Sequence, residues 1–163
     1  MADLNSLGKK AEGKIKKWLD RPEEGYCFDR IKDQMNGFHN SSNICDFTLF
    51  KSPYFFYIES KATYADNFPY VMITEYQYEH MLEKSGIDKV RSYVIVLFAS
   101  YQRAFILDIR DIAKEIAEGR KSINIKKIDK WKIPYIEIPT LLSRKELLDY
   151  DNEFKKPFEE IDS

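Results

Sequence analysis

Only two cysteines and two histidines occur in 163 residues. Cys27 and Cys45 are too few and too isolated for a disulfide framework or a zinc site, and they suit a reducing compartment. Long apolar runs are also missing. The longest, residues 93–99, is far short of the roughly 18 residues a membrane helix needs, and it reads as a core strand. No charged-then-apolar leader or transit pattern opens the chain, so a cytoplasmic protein is expected. Glycine and proline number six each. There is no glycine-rich phosphate loop, dinucleotide fingerprint or G-x-S-x-G elbow, which removes P-loop NTPases, Rossmann oxidoreductases and serine hydrolases of that type. Repeats and low-complexity tracts are absent.

What is present is a well-mixed globular composition, 44% hydrophobic, 15% aromatic and 33% charged. That supports one domain over residues 1–163 with a real core. The net charge of −1 joins unlike parts. Residues 146–163 hold seven acids against Lys155 and Lys156, a net of −5, which leaves the remainder at +4. An acidic tail is expected over about 151–163. Within the basic remainder, residues 114–132 carry seven lysines and arginines against Glu115, Glu118 and Asp129, a surplus that suits either a phosphate backbone or a solvated surface.

Periodicity and turn signals order the chain. A helix is expected over 3–19, with Leu4, Leu7, Ala11, Ile15 and Trp18 on its core face and lysines opposite. Strands follow at 26–31, 44–50 and 54–61. A helix runs from Thr74 to about Lys84, where Thr74-Glu75-Tyr76-Gln77 fits a capping box. Strands at 93–100 and 103–109, a helix at 111–118 closed by Gly119, and an edge strand bracketed by Ile133-Pro134 and Ile138-Pro139 complete the pattern. This is an α/β chain with a mixed central sheet of about five strands flanked by helices.

The densest chemistry lies in the 44–61 hairpin. A turn centred between Ser52 and Pro53 pairs Phe50 with Phe55, Thr48 with Tyr57 and Asp46 with Glu59. Pro53 fits awkwardly in an ordinary type I turn there, and a one-residue slip would turn Asp46 to the other face. Strand alternation sets Lys61 beside Glu59. Two carboxylates facing each other among aromatic residues require a compensating cation or a proton. A hard divalent ion such as Mg²⁺, held by the two carboxylates and a strand carbonyl, would supply that charge and support phosphodiester hydrolysis. The competing reading is a solvated strand face with a weak Glu-x-Lys ion pair.

Other candidates flank this centre. Glu12 projects from the edge of the first helix's apolar stripe, where it can reach a site on the sheet or pair with Lys16. Gln77 has a structural reason to be present in the capping box. His80, without a second ligand at suitable spacing, reads as a helix-surface or packing residue. Lys9 and Lys10 on the first helix, with Arg120 and Lys121 after Gly119, are the candidate contacts to a nucleic-acid backbone.

The order of these elements resembles the restriction-endonuclease-like, or PD-(D/E)xK, nucleases, and within them the RecU-type Holliday junction resolvases. The likeness rests on Asp46 with Glu59-Ser60-Lys61, Phe68-Pro69, Gln77 with Glu79-His80-Met81, the strand through Val94 and Phe98 with its partner, and Gly119-Arg120-Lys121-Ser122-Ile123. It implies a restriction-endonuclease-like core and a Mg²⁺-dependent endonuclease, with Mn²⁺ as a possible substitute. Its partner would be branched DNA, and its state a homodimer. Asp46, Glu59 and the Ser60 carbonyl would be metal ligands, and Lys61 would orient or activate the attacking water. Glu12 would be an auxiliary carboxylate, and Gln77 would support the water or the scissile phosphate. Ile44 stands where such resolvases usually place a threonine, and the segment before the hairpin is shorter than theirs. Two rivals share these residues: a restriction or repair nuclease on duplex DNA, and a non-catalytic DNA-binding protein that keeps the fold.

Overall fold

A computed structural model of the chain describes residues 4–31 and 43–139. The acidic tail lies outside these residues. Helix α1 (Leu4–Leu19) is followed by strand β1 (Cys27–Arg30), β2 (Phe47–Lys51), β3 (Tyr54–Thr63) and β4 (Asn67–Pro69). Helix α2 (Glu75–Lys84), strands β5 (Val90–Phe98) and β6 (Arg103–Asp108), helix α3 (Ile109–Ala117), and strands β7 (Ser122–Asn124) and β8 (Ile136–Pro139) follow.

Six strands form the central sheet in the order β1-β2-β3-β5-β6-β8. The β3–β5 pair is parallel and the others are antiparallel, so the sheet is mixed. The expected count of about five is exceeded by β8, which lies at the sheet edge as its bracketing prolines require. A second sheet, β4 with β7, was not foreseen. Each of its strands has three residues, too short to show a period.

Alternation in β3 and β5 divides the core between the two faces of the sheet. Phe56, Ile58, Tyr93 and Ile95 pack with Leu7, Ala11, Ile15 and Trp18 of α1 on one face. Val94, Val96, Phe105 and Leu107 pack with Met81 of α2 and with Ile109 and Ile112 of α3 on the other. Tyr57 joins that second cluster, and Glu59 and Lys61 share its parity on β3. The two functional candidates therefore point to the α2/α3 side, while Ser60 between them points to α1.

Two helix starts follow from local chemistry. Thr74 Oγ1 accepts the Gln77 amide N–H at 3.2 Å, and Gln77 Oε1 accepts the Thr74 N–H at 3.3 Å, completing the capping box. Helix α3 begins earlier than expected because Asp108 caps it, accepting the Arg110 N–H at 2.8 Å. Among the described residues, no helix is long and apolar enough to cross a membrane.

Candidate active site

The β2–β3 hairpin sets the centre. Its register pairs Phe50 with Phe55, Thr48 with Tyr57 and Phe47 with Ile58, as the turn position predicts, and Lys51 faces Tyr54. That register leaves Ser52 and Pro53 as a tight two-residue turn with Pro53 at its third position, and the Ser52–Pro53 bond is cis.

One step beyond Phe47 the ladder departs from expectation. Asp46 does not continue as a strand residue opposite Glu59. Its N–H donates to the Ile58 carbonyl at 3.1 Å, the residue Phe47 already faces, and its own carbonyl accepts the Ile31 N–H at 2.8 Å. The carboxylate instead accepts the Ser60 N–H at 2.8 Å. Asp46 is thus fixed by backbone bonds on both sides and sits next to the Glu59–Lys61 segment without being its ladder partner. Because the N–H and C=O of one strand residue point to the same side, the Ser60 carbonyl points past the end of β2.

Glu59 is 2% exposed. Its Oε1 takes Lys61 Nζ at 3.0 Å, whereas its Oε2 is buried with no hydrogen-bond partner among the described residues. Burial, with Asp46 adding, pushes the Glu59 carboxyl up to about 7, against the opposing pull of Lys61 and Gln77. Gln77 thereby serves twice: it closes the α2 capping box and favours the charged form of Glu59, without completing a well-formed bond to the orphaned oxygen. Asp46 is also shifted upward, chiefly by burial and then by Glu12, while the Ser60 N–H, Lys61 and Arg30 act the other way.

Glu12 is half-buried and pairs with Arg30, whose Nη2 and Nε lie 2.8 and 3.2 Å from Glu12 Oε2. The alternative pairing with Lys16 is replaced by a contact to β1, at the end of the strand next to Asp46. Arg30 had no recognisable signal in the sequence; an exposed arginine at the end of a short strand is common. Cys45 is buried and donates its thiol to the Phe47 carbonyl at 3.1 Å. Burial pushes this thiol up to about 12, with Glu59 and Asp46 adding, so it is not a thiolate nucleophile.

Glu59 and Asp46 need positive charge beyond Lys61, and an orphaned carboxylate oxygen offers a place for it. Two carboxylates and a strand carbonyl suit a hard ion that keeps several waters. Among the described residues, no three His, Cys, Asp or Glu side chains form a metal-holding group, so Glu12 is not brought in as a third ligand. His80 packs its ring at a tilt of 52° against Tyr76, centroids 4.2 Å apart, and faces Glu83 at 3.8 Å, as a helix-surface residue would.

The basic candidates separate. Lys9 and Lys10 are exposed on α1. Lys121 is exposed, and its carbonyl accepts the Tyr70 N–H at 2.9 Å. Arg120, by contrast, is engaged by Glu115 and Glu118. Glu115 is 4% exposed and also accepts the Tyr70 hydroxyl at 3.2 Å. The adjoining β4–β7 ladder pairs Phe68 with Ile123 and Pro69 with Ser122, bringing together two segments that are 55 residues apart in sequence.

On this mixed sheet the half-buried Asp46 lies beside the buried Glu59 and its Lys61, the Asp, Glu-x-Lys arrangement expected of a nuclease. The chain belongs to the RecU family: the family model for Recombination protein U matches residues 27–150. RecU membership supports a Holliday junction resolvase function. Among solved structures, the chain is similar to Hjc, a Holliday junction resolvase from the archaeal hyperthermophile Archaeoglobus fulgidus, at 12% identity over 64% of this chain and 75% of that one, with a TM-score of 0.45. No curated protein sequence matches it.

Proposed function

We propose that this chain is a Mg²⁺-dependent endodeoxyribonuclease that hydrolyses phosphodiester bonds in branched DNA, with Asp46, Glu59 and the Ser60 carbonyl as the ion's protein ligands. The observation that carries this reading is Glu59, a buried carboxylate with one oxygen on Lys61 and the other without a hydrogen-bond partner among the described residues, next to the half-buried carboxylate of Asp46. Mn²⁺ is expected to substitute, having the same preference for oxygen ligands. When bound, such an ion polarises the scissile phosphate and makes water a stronger nucleophile at neutral pH.

The chain's own groups do the rest. The Ser60 N–H holds the Asp46 carboxylate in place, and Glu59 keeps the Lys61 ammonium at the centre. There Lys61 would stabilise the charge that builds on the phosphate oxygens in the transition state. Gln77, fixed at the first turn of α2, would steady the water or the phosphate. Glu12 acts through Asp46 and Arg30 as a positioning residue. Lys9, Lys10, Lys121 and Arg120 are the proposed contacts to the DNA backbone, Arg120 with much of its charge already committed to Glu115 and Glu118.

A homodimer would present two such centres about a twofold axis, matching the two strands cut in a symmetric junction. The cytoplasm, whose reducing conditions suit the two free cysteines, is the proposed setting. Cleavage of labelled four-way, flap and linear DNA with and without Mg²⁺ tests the reading. Metal-dependent cutting that prefers branched substrates is expected. Equal cutting of linear duplex would favour a restriction or repair nuclease, and binding without any cutting would leave a non-catalytic DNA-binding protein.

A further inference from the structure

Helix α1 has two charged flanks on either side of its apolar stripe. Glu12 lies on one. Lys10, Lys14 and Lys17, spaced at i, i+4 and i+7, lie on the other. These three lysines line an open groove of about 510 Å³ whose far wall is made by Tyr64, Ala99 and Gln102, from the segments that follow β3 and β5. Among the described residues, no Asp or Glu lines it. A groove of this charge in a chain of net charge −1 selects for an anion.

The far wall is preformed. Ser100 Oγ donates to the Tyr64 carbonyl at 2.8 Å, and the Tyr101 hydroxyl reaches Asp66 Oδ1 at 2.5 Å. Lys126 holds the other oxygen of Asp66 at 2.9 Å. Tyr64, 41% exposed, therefore presents an aromatic ring from a braced turn opposite a row of lysines. A basic groove with an aromatic ring on its wall is the combination that tracks a nucleic-acid backbone. Lys14 also lines the small cleft between α1 and the sheet whose floor includes Ser60, so the groove adjoins the candidate site on the side of the sheet opposite Glu59.

We infer that this groove holds a second stretch of the DNA sugar-phosphate backbone, separate from the strand at Asp46 and Glu59. The inference rests on the reading of the chain as a DNA nuclease. Helix α1 precedes the 27–150 span matched by the family model, so the lysine wall of the groove lies outside that span while Tyr64, Ala99 and Gln102 lie within it. In the intact molecule, two separated backbone contacts would favour DNA whose strands diverge at the site over a single straight duplex.

The test replaces Lys10, Lys14 and Lys17 together by Gln in the full chain and measures binding of labelled four-way DNA across a salt series in EDTA, where cleavage is blocked. Helix content by circular dichroism checks that α1 persists. The expected result is a slope of log affinity against log salt that is shallower by about two to three units, since each backbone contact contributes a little under one. Tyr64→Ala should weaken binding several-fold with the slope unchanged, because a ring contact releases no counterions. An unchanged slope in the triple variant overturns the groove, as does failure of the wild type to bind DNA. The nuclease reading is tested separately by wild-type cleavage in Mg²⁺: a protein that binds but does not cut refutes that reading alone, while one that cuts and keeps its slope in the triple variant refutes only the groove.

Discussion

Asp46 accepts the Ser60 amide N–H at 2.8 Å, which ties the carboxylate ahead of β2 to the residue between Glu59 and Lys61. Three candidate side chains, those of Asp46, Glu59 and Lys61, are thereby brought together through one short backbone segment. Asp46→Asn and Glu59→Gln should each lower cleavage by at least about a hundredfold while leaving the fold intact, since each removes charge from the centre and little packing. Single-turnover cleavage and circular dichroism check both halves of the statement. Near-wild-type rates in both variants would remove these residues from the mechanism.

The same two carboxylates predict how stability without metal depends on pH. Glu59 is raised from its ordinary value of 4.5 to about 7, chiefly by burial. A carboxyl raised in the folded state holds its proton more tightly when folded, so its favourable contribution is present below about 4.5 and is lost as pH rises towards 7. Asp46 is shifted in the same direction. For Glu59 the loss is at most about 3 kcal/mol. Glu59→Gln, which resembles the protonated acid, should melt above the wild type at pH 8 in EDTA and at nearly the same temperature at pH 5. A gap that is larger at pH 5 would reverse the sign and sink the argument.

Lys61→Ala should reduce turnover more than DNA affinity, because one ammonium among many phosphate contacts adds little to binding but sits where charge develops. Its pairing with Glu59 Oε1 adds a second effect, since the variant leaves that buried carboxylate with no cation of its own. Comparing the single-turnover rate at saturating DNA with the dissociation constant in EDTA separates the two. Normal cleavage with weakened binding would mean that Lys61 is only an electrostatic contact.

What the sequence revealed and what it concealed divide along sequence distance. The β2–β3 register and the Thr74–Gln77 capping box are local, so turn position and spacing predict them. The bend at Asp46 is also local, but no residue type marks it. Arg30 on Glu12, and Arg120 on the buried Glu115, join elements by long side chains whose partners no periodicity indicates. The basic run at 114–132 looks uniform as a string, yet the structure commits its single arginine, Arg120, to the α3 residue Glu115, which also accepts the Tyr70 hydroxyl, and exposes the neighbouring lysine.

That division changes what Arg120 and Lys121 are expected to do. Arg120→Ala removes the cation beside Glu115, a carboxylate that is 4% exposed, leaving it the Tyr70 hydroxyl, and should lower the melting temperature. Thermal denaturation reads this directly. Lys121→Ala should leave the melting temperature unchanged and reduce the salt-dependence slope by about one unit for all DNAs. A stable Arg120→Ala variant would contradict a structural role for that pair.

Beyond residue 150, where the family match ends, the chain carries Asp151, Glu153, Glu159, Glu160 and Asp162 against Lys155 and Lys156. Removing residues 151–163 takes away a net charge of −3 and leaves the matched span complete. Negative charge tethered to a DNA-binding body repels the phosphate backbone at a range set by the ionic strength. Truncation after Tyr150 should therefore raise affinity for non-specific duplex at low salt and change it little at high salt, where the Debye length falls to a few ångströms. A salt series of binding curves for full-length and truncated protein, with melting temperatures alongside, distinguishes shielding from support. If truncation lowers affinity at every salt concentration or unfolds the protein, the tail is structural and does not act by repulsion.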